Sequence, residues 1–202
     1  PTPVIGMVGV LDNVKKAVSS GWQNINDEIW IIGSRDSDLT LGATSYLEYF
    51  HGQVTGRPPS LNLIDEKLCQ LFIRNGILNN LIISSHDISD GGLAVALAEA
   101  CILSEKGASI NLTGEERKDN LLFSEGGSRI IFSIPHMKKN EWLKFVSAES
   151  KNFTDSIYVT KIGTVSQDIF KIKILDNIIC DLKISTLADK FNNGISNSFN
   201  NE

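Results

Sequence analysis

The sequence has few cysteines and no cysteine pattern that would join distant segments covalently. Cys69, Cys101 and Cys180 form an odd-numbered and widely spaced set, whereas disulfide frameworks and zinc sites use paired cysteines. Each lies among apolar residues, where free cysteine is most often buried. We therefore predict three buried, reduced thiols.

Long hydrophobic runs and an excess of positive charge are also missing. The apolar runs, such as residues 81–83 and 130–132, are far shorter than the roughly 20 residues that a membrane helix needs. The 19 Lys and Arg residues are outnumbered by 24 Asp and Glu, for a formal net charge of -5, and the basic residues are scattered. The sequence thus predicts a cytoplasmic protein that binds neither membranes nor nucleic acid. It also contains no Walker loop, nucleophile elbow or dinucleotide fingerprint.

The apolar residues, 42% of 202, are enough for a full domain and alternate between strand and helix patterns. Strands are predicted over residues 4–10, 28–33, 81–85, 108–112, 129–134, 158–165 and 170–175, and helices over 60–76, 93–105, 136–149 and from 186 onward. Residues around Asp119 are predicted to form a polar loop. Several strand pairs are too close for a helical crossover, so we expect an α+β fold, an αβ sandwich with a mainly antiparallel sheet and packed helices.

The helix predicted over residues 60–76 has one apolar stripe at helical spacing. Its members are Ile64, Leu68, Leu71 and Phe72. Ser60 is a plausible N-cap for this helix, and Gly76 lies near its predicted end.

The most informative stretch is residues 86–92, where a strand passes into a helix. It contains an imidazole, two carboxylates, a hydroxyl and two glycines: His86, Asp87, Asp90, Ser89, Gly91 and Gly92. The amides and dipole at a helix N-terminus favour an anion, and an adjacent carboxylate can hold Mg²⁺ that bridges phosphate oxygens. The alternative is that Ser89 or Asp90 only caps the helix and that the glycines only form the turn.

A second cluster, residues 123–129, combines Glu125, Arg129, two glycines and two serines ahead of a strand. It could bind phosphate through amides and guanidinium, or form a glycine turn with a Glu–Arg pair on the surface. A third glycine- and proline-rich stretch, residues 41–59, is best explained by loop geometry.

Five motifs in order resemble the phosphoribosylformylglycinamidine synthase family, in its synthetase subunit. They lie at residues 1–9, 41–59, 86–99, 122–129 and 161–165, and the likeness covers essentially the whole chain. The stretch at 86–99 is similar to the family's HDxSDGGL helix entry. The loop has Gly126-Gly127 where many relatives have Ser-Gln, which leaves its contacts open.

The resemblance implies a domain of the PurM C-terminal type, related to aminoimidazole ribonucleotide synthetase. It implies four segments: residues 1–35 as the end of a preceding nucleotide-binding domain, 36–60 as a linker, 61–191 as the PurM-like domain and 192–202 as a flexible tail.

The resemblance further implies an ATP-dependent ligase of purine biosynthesis. This enzyme converts formylglycinamide ribonucleotide and glutamine-derived ammonia to the amidine. ATP and Mg²⁺ are the expected cofactors. The expected partners are a glutaminase subunit or domain, the N-terminal part of the same subunit and small-molecule nucleotides.

By the same resemblance, Asp87, Ser89, Gly91 and Gly92 are expected to face a nucleotide, with Asp87 as a Mg²⁺ ligand. No residue is expected to be catalytic, because the family's catalytic histidine and main ATP loops belong to a part of the subunit that precedes this segment. Whether the domain lines the catalytic or a structural nucleotide cleft is left open. The fragment is expected to be inactive alone. The rival hypothesis is a stand-alone nucleotide-binding or interaction module without catalysis.

Overall fold

A computed structural model describes residues 4–34, 39–114 and 116–199, so predictions for the other positions lie outside the described residues. The described strands are β1 Glu28–Ser34, β2 Ser84–Asp87, β3 Gly107–Leu112, β4 Ile130–Ile134, β5 Ile157–Ser166, β6 Ile169–Ile174 and β7 Asn177–Lys183. The described helices are α1 Ser45–His51, α2 Leu63–Leu78, α3 Gly92–Ser104, α4 Lys118–Phe123, α5 Lys139–Glu149 and α6 Ile184–Phe199.

The strands form one sheet in the order β2-β4-β1-β5-β3-β6-β7. Neighbouring strands are antiparallel except β3 and β6, which run parallel with Ala108 opposite Phe170. The mainly antiparallel α+β fold expected from the sequence is therefore confirmed.

Helices cover both faces of the sheet, because alternate residues of the central strands point to opposite sides. Trp30 and Ile32 of β1 pack with Phe72 of α2 and Trp142 of α5. The alternate residues of β1, Ile29 and Ile31, point to the other face and pack with α3, α4 and the start of α6. The candidate turn between β2 and α3 lies at one edge of the sheet, because β2 is its terminal strand.

The position of β1 corrects the expected domain boundary. The sequence assigns residues 1–35 to a preceding domain, but Glu28–Ser34 pairs with β4 on one side and β5 on the other. A strand hydrogen-bonded along both edges is part of its sheet, so residues 28–34 belong to this domain. The segment expected to be a linker, residues 36–60, contains the short helix α1.

Helix α2 begins later than predicted and ends close to the predicted position. Its N-cap is Asn62, whose side chain accepts hydrogen bonds from the amides of Ile64 and Asp65, and Ser60 lies before it. Gly76 lies in the last turn of the helix, which ends at Leu78, and a Cβ on Gly76 would lie 2.5 Å from the side chain of Ile82. The buried face is rotated from the predicted stripe: it consists of Asp65, Cys69, Phe72, Ile73 and Gly76.

Three further segments differ from the prediction. Residues 4–10 form no strand, and among the described strands none lies beside them to accept their hydrogen bonds. The loop expected around Asp119 contains α4. The chain also forms β7 where no element is predicted, and α6 stays helical to Phe199, past the expected start of the flexible tail at Asn192.

Cys69 and Cys101 are buried, as predicted, whereas Cys180 is half-buried at the sheet edge. Within the described part of the chain, no helix is both long enough and apolar enough to cross a bilayer.

Candidate functional site

The turn between β2 and α3 is shaped by two successive glycines. Gly91 and Gly92 have φ angles of 80° and 71°, a left-handed conformation that other residues rarely adopt. A Cβ on Gly92 would also lie 2.7 Å from the backbone of Phe123, closer than real contacts allow. Both positions therefore require glycine for backbone reasons, before any ligand is considered.

The turn presents its acidic and hydroxyl side chains to solvent. The side chain of Asp87 is 79% exposed, and Ser89 and Asp90 are also exposed. Between them the buried side chain of Ile88 anchors the turn, and its amide donates to the carbonyl of Arg129 at 3.0 Å. Asp87 and Ser89 thus lie on an open surface with their polar atoms directed away from the core.

His86 is held from two sides and supports the turn. Its Nδ1 lies 2.8 Å from the carbonyl oxygen of Asp87, and its Nε2 lies 3.2 Å from a carboxylate oxygen of Glu99 on α3. Both ring nitrogens are therefore engaged, and the imidazole connects the end of β2 to α3.

The amides of the two glycines already have acceptors in the protein. Gly91 donates to Oε1 of Glu125 at 2.7 Å, and Gly92 donates to the carbonyl of Ser89 at 3.0 Å. A phosphate could bind the Gly91 amide only by displacing Glu125. The exposed side chains of the turn that a ligand can reach are consequently those of Asp87, Ser89 and Asp90.

The capping interpretation of the turn is not what the structure shows. Gly91 is the N-cap of α3, and it has no side chain that could form a capping hydrogen bond. Ser89 contributes only its backbone carbonyl, and its exposed hydroxyl and the carboxylate of Asp90 are not used as caps. Sequence reasoning could not separate these roles, because capping residues and ligand-binding residues share the same side chains.

The loop at residues 123–129 holds the segment before α1 against this turn. The Ser124 hydroxyl donates to the carbonyl of Thr40 at 2.8 Å and accepts from its amide at 3.1 Å. Glu125 Oε1 accepts from the amide of Ser45 at 2.9 Å. The ring of Phe123 stacks on Tyr46 with centroids 4.7 Å apart.

Arg129 does not form part of an exposed Glu–Arg pair. The residue is only 3% exposed, and its Nη2 donates to the carbonyl oxygen of Ser124. The guanidinium therefore supports the loop from within. This corrects the interpretation of the cluster as a surface turn.

The back of the loop rests on α2. The Ser128 hydroxyl donates to a carboxylate oxygen of Glu66 at 2.8 Å, and the Cys69 thiol donates to the Ser128 carbonyl at 3.4 Å. Burial, together with the smaller effect of the nearby charges of Glu66 and Asp65, raises the pKa of Cys69 to about 12. Cys69 is therefore a protonated, structural thiol at neutral pH.

Asp87 fits a role as one ligand of a shared Mg²⁺. Among the described residues there is no group of three or more His, Cys, Asp or Glu side chains placed to hold a metal ion. Mg²⁺ is commonly bound by one or two carboxylates together with water and phosphate oxygens, so a single exposed carboxylate is a suitable contribution. The remaining ligands would have to come from a nucleotide or from another polypeptide segment.

Comparison with known proteins gives a family match over most of the chain. A family model described as AIR synthase related protein, C-terminal domain, matches residues 24–168. The match begins before β1, which agrees with the position of that strand inside the sheet.

Curated relatives match nearly the full length of the chain. It is 61% identical over 200 residues to the phosphoribosylformylglycinamidine synthase subunit PurL of Prochlorococcus marinus strain MIT 9301, covering 98% of this chain and 26% of that protein. The PurL subunit of strain MIT 9313 is 39% identical over 204 residues, again with 26% of its length covered. The chain therefore spans about a quarter of the curated relatives that it matches.

Solved structures share the fold at low sequence identity. Thermotoga maritima PurL complexed with FGAR gives a TM-score of 0.69 at 14% identity, covering 87% of this chain and 30% of that chain. The same protein complexed with ATP gives 0.65 at 15% identity, covering 87% and 28%. These likenesses confirm the predicted fold type.

Proposed function

The chain belongs to the family of AIR synthase related protein C-terminal domains, and we propose that it is the C-terminal part of a phosphoribosylformylglycinamidine synthase subunit. The observation that carries the proposal is the 61% identity to the Prochlorococcus marinus subunit across 98% of the chain. The ordered motifs in the sequence independently point to the same family.

The activity proposed for the complete subunit is the ATP-dependent conversion of formylglycinamide ribonucleotide to its amidine in purine biosynthesis. The amide oxygen attacks the γ-phosphorus of ATP, and ADP leaves. Ammonia then adds to the activated carbon, and inorganic phosphate departs with the former amide oxygen. Such phosphoryl transfer depends on positioning and on neutralisation of phosphate charge. The segment described here is proposed to contribute binding surface and to have no activity alone.

Within that subunit, the turn at residues 86–92 is proposed to form one wall of a nucleotide cleft. The exposed carboxylate of Asp87 would contribute to holding Mg²⁺, which neutralises phosphate charge when bound. The Ser89 hydroxyl would donate to a phosphate oxygen. Gly91 and Gly92 would allow the backbone to pass close to the ligand, since their left-handed conformation turns the chain there and they have no Cβ atoms.

The proposed partners follow from the same assignment. One of the similar solved structures is that of PurLQS from Thermotoga maritima. This likeness supports the proposal that the complete subunit assembles with further subunits, among them a glutaminase that supplies ammonia. The other proposed partners are the rest of the same subunit and its small-molecule nucleotides. A cytoplasmic location, without nucleic acid or membrane contacts, remains a prediction from the sequence.

A chimaeric enzyme tests the proposed function. This chain replaces the matching quarter of the Prochlorococcus marinus subunit, and amidine formation is measured with formylglycinamide ribonucleotide, ATP, Mg²⁺ and ammonium chloride. The expected result is activity within about tenfold of the parent subunit, because the exchanged segments are homologous throughout. The chain alone serves as the matched negative control.

A folded chimaera that binds Mg²⁺–ATP but forms no amidine would favour the rival stand-alone nucleotide-binding module. A folded chimaera that hydrolyses ATP without requiring ammonia would instead indicate another, kinase-like member of the wider superfamily.

A further inference from the structure

We propose that Glu125 is the positioning residue of the candidate nucleotide site, an internal anion that joins the Gly91 turn to α1. One carboxylate oxygen, Oε1, accepts hydrogen bonds from the amides of both Gly91 and Ser45. This inference rests on the proposed function only where it concerns nucleotide binding. The joining of the two segments is a property of this chain.

The geometry at Glu125 resembles the binding of an external anion. The distances of 2.7 Å to the Gly91 amide and 2.9 Å to the Ser45 amide are those of charge-assisted hydrogen bonds. Gly91 is the N-cap of α3, so the carboxylate lies where the dipole of a 13-residue helix favours negative charge. The protein thus supplies the anion that the sequence pattern suggests for a ligand.

The carboxylate connects segments that are far apart in the chain. Gly91 is 34 positions and Ser45 is 80 positions from Glu125. The two residues before Glu125 hold the same segment, since Ser124 binds Thr40 and Phe123 stacks on Tyr46. Residues 123–125 therefore bind the segment at 40–46 at three successive points, and the Glu125 side chain also bonds to the candidate turn at Gly91.

The consequence for the site is a fixed path for the turn between Ile88 and Gly91. Asp87 ends β2 in register with Ile130, and the Ile88 amide donates to the carbonyl of Arg129, so that end is held without Glu125. The Glu125 carboxylate holds the other end at Gly91, and Ser89 lies between the two. With that anchor removed, the exposed hydroxyl of Ser89 would sample more positions. Glu125 touches no ligand in this scheme and acts through the backbone of Gly91.

Hydrogen exchange on this chain tests the anchor directly. In Glu125→Ala, amide exchange at Gly91 and Ser45 is expected to rise about tenfold, because both lose a charge-assisted acceptor. Glu125→Gln retains a carbonyl oxygen that can accept both bonds and is expected to restore most of the protection. Glu66→Ala is the matched control, a half-buried glutamate that accepts from Ser128 instead, and it should leave both amides unchanged.

Binding of Mg²⁺–AMPPCP to the chimaeric subunit tests the positioning role. Glu125→Ala and Ser89→Ala are each expected to weaken binding about tenfold, and the double variant is expected to be at most about twofold weaker than Ser89→Ala alone. Such non-additivity is the signature of residues that act on one contact. Glu125→Gln should recover affinity, which a loss of general stability would not predict.

Three results would count against the inference. Unchanged exchange at Gly91 and Ser45 in Glu125→Ala would show that the carboxylate anchors neither amide. A uniform rise throughout the sheet in both Glu125 variants would show only a general stabilising role. Multiplying effects of Glu125→Ala and Ser89→Ala on nucleotide binding would remove the link to Ser89. A wild-type chimaera without nucleotide affinity would count against the proposed function. The exchange result would still show whether Glu125 anchors the amides of Gly91 and Ser45.

Discussion

The turn at residues 86–92 and the loop at residues 123–129 have similar compositions but opposite environments. Both combine acids, serines and paired glycines next to a strand. In the turn, Asp87 and Ser89 face solvent. In the loop, Ser124 and Arg129 are buried and bound to backbone groups.

This difference separates a surface that can contact a ligand from the structure that holds it. Polar groups buried in a protein are almost always hydrogen-bonded, and in the loop the hydroxyls of Ser124 and Ser128 and the Nη2 of Arg129 have partners within this domain. Exposed polar groups in a rigid turn are available for another molecule. Composition alone would assign both segments the same role, and the number of internal hydrogen bonds distinguishes them.

The largest expected effect comes from placing a Cβ between the two regions. Gly92→Ala should destabilise the chain by about 3 kcal/mol or more, because the left-handed backbone and the contact with Phe123 both oppose it. Urea denaturation measures the change. Gly52→Ala is the control: its φ of 61° is similar but nothing lies within 4 Å of the new Cβ, so about 1 kcal/mol is expected.

Equal effects of the two glycine variants would show that the turn and the loop do not pack as closely as described, because only backbone strain would then contribute.

A pair of serine substitutions sharpens the comparison. Ser124→Ala should lower the free energy of unfolding by about 2 kcal/mol, because the amide and carbonyl of Thr40 lose their hydroxyl partner in a buried setting. Ser89→Ala, at an exposed position, should change it by less than about 0.5 kcal/mol. Thermal melts of both variants under one set of conditions provide the measurement, and the reverse ranking would contradict the assignment of roles.

The smallest effect on folding is expected at Asp87. Asp87→Asn should change the stability of this chain by less than about 0.5 kcal/mol, since its carboxylate is exposed. In the chimaeric subunit it should weaken Mg²⁺–nucleotide binding about tenfold and reduce the rise in Tm that the nucleotide gives. Asp90→Asn, also exposed, is the control. Unchanged affinity in Asp87→Asn would leave the turn without a metal ligand.

The sequence predicts the inner strands of the sheet better than its edge strand β7. β1 and β4 contain apolar runs, β6 alternates apolar residues with lysines, and β5 is rich in β-branched residues. The sequence locates all four to within a few residues. β7 escaped prediction because it is an edge strand with most of its side chains exposed, so it lacks a buried face to impose alternation. α4 is too short to show a helical period.

The candidate turn could be identified from the sequence, but the reason for its shape could not. The run of acid, serine and glycines marks residues 86–92 in one stretch. The partners of Gly91 and Gly92 come from residues 123–125, and no local pattern shows that these segments meet. Glu125 was visible only as part of another candidate site, since its two bonds connect distant parts of the chain.

The parallel pairing of β3 with β6 has a consequence for how the chain folds. Between Ala108 and its partner Phe170 the chain must complete α4, β4, α5 and β5, so a long loop closes before this pair gains its hydrogen bonds. Non-local pairing of this kind slows folding. β7 pairs with β6, and α6 follows β7 directly along the chain. We therefore expect the last part of the chain to acquire native structure late, after the centre of the sheet.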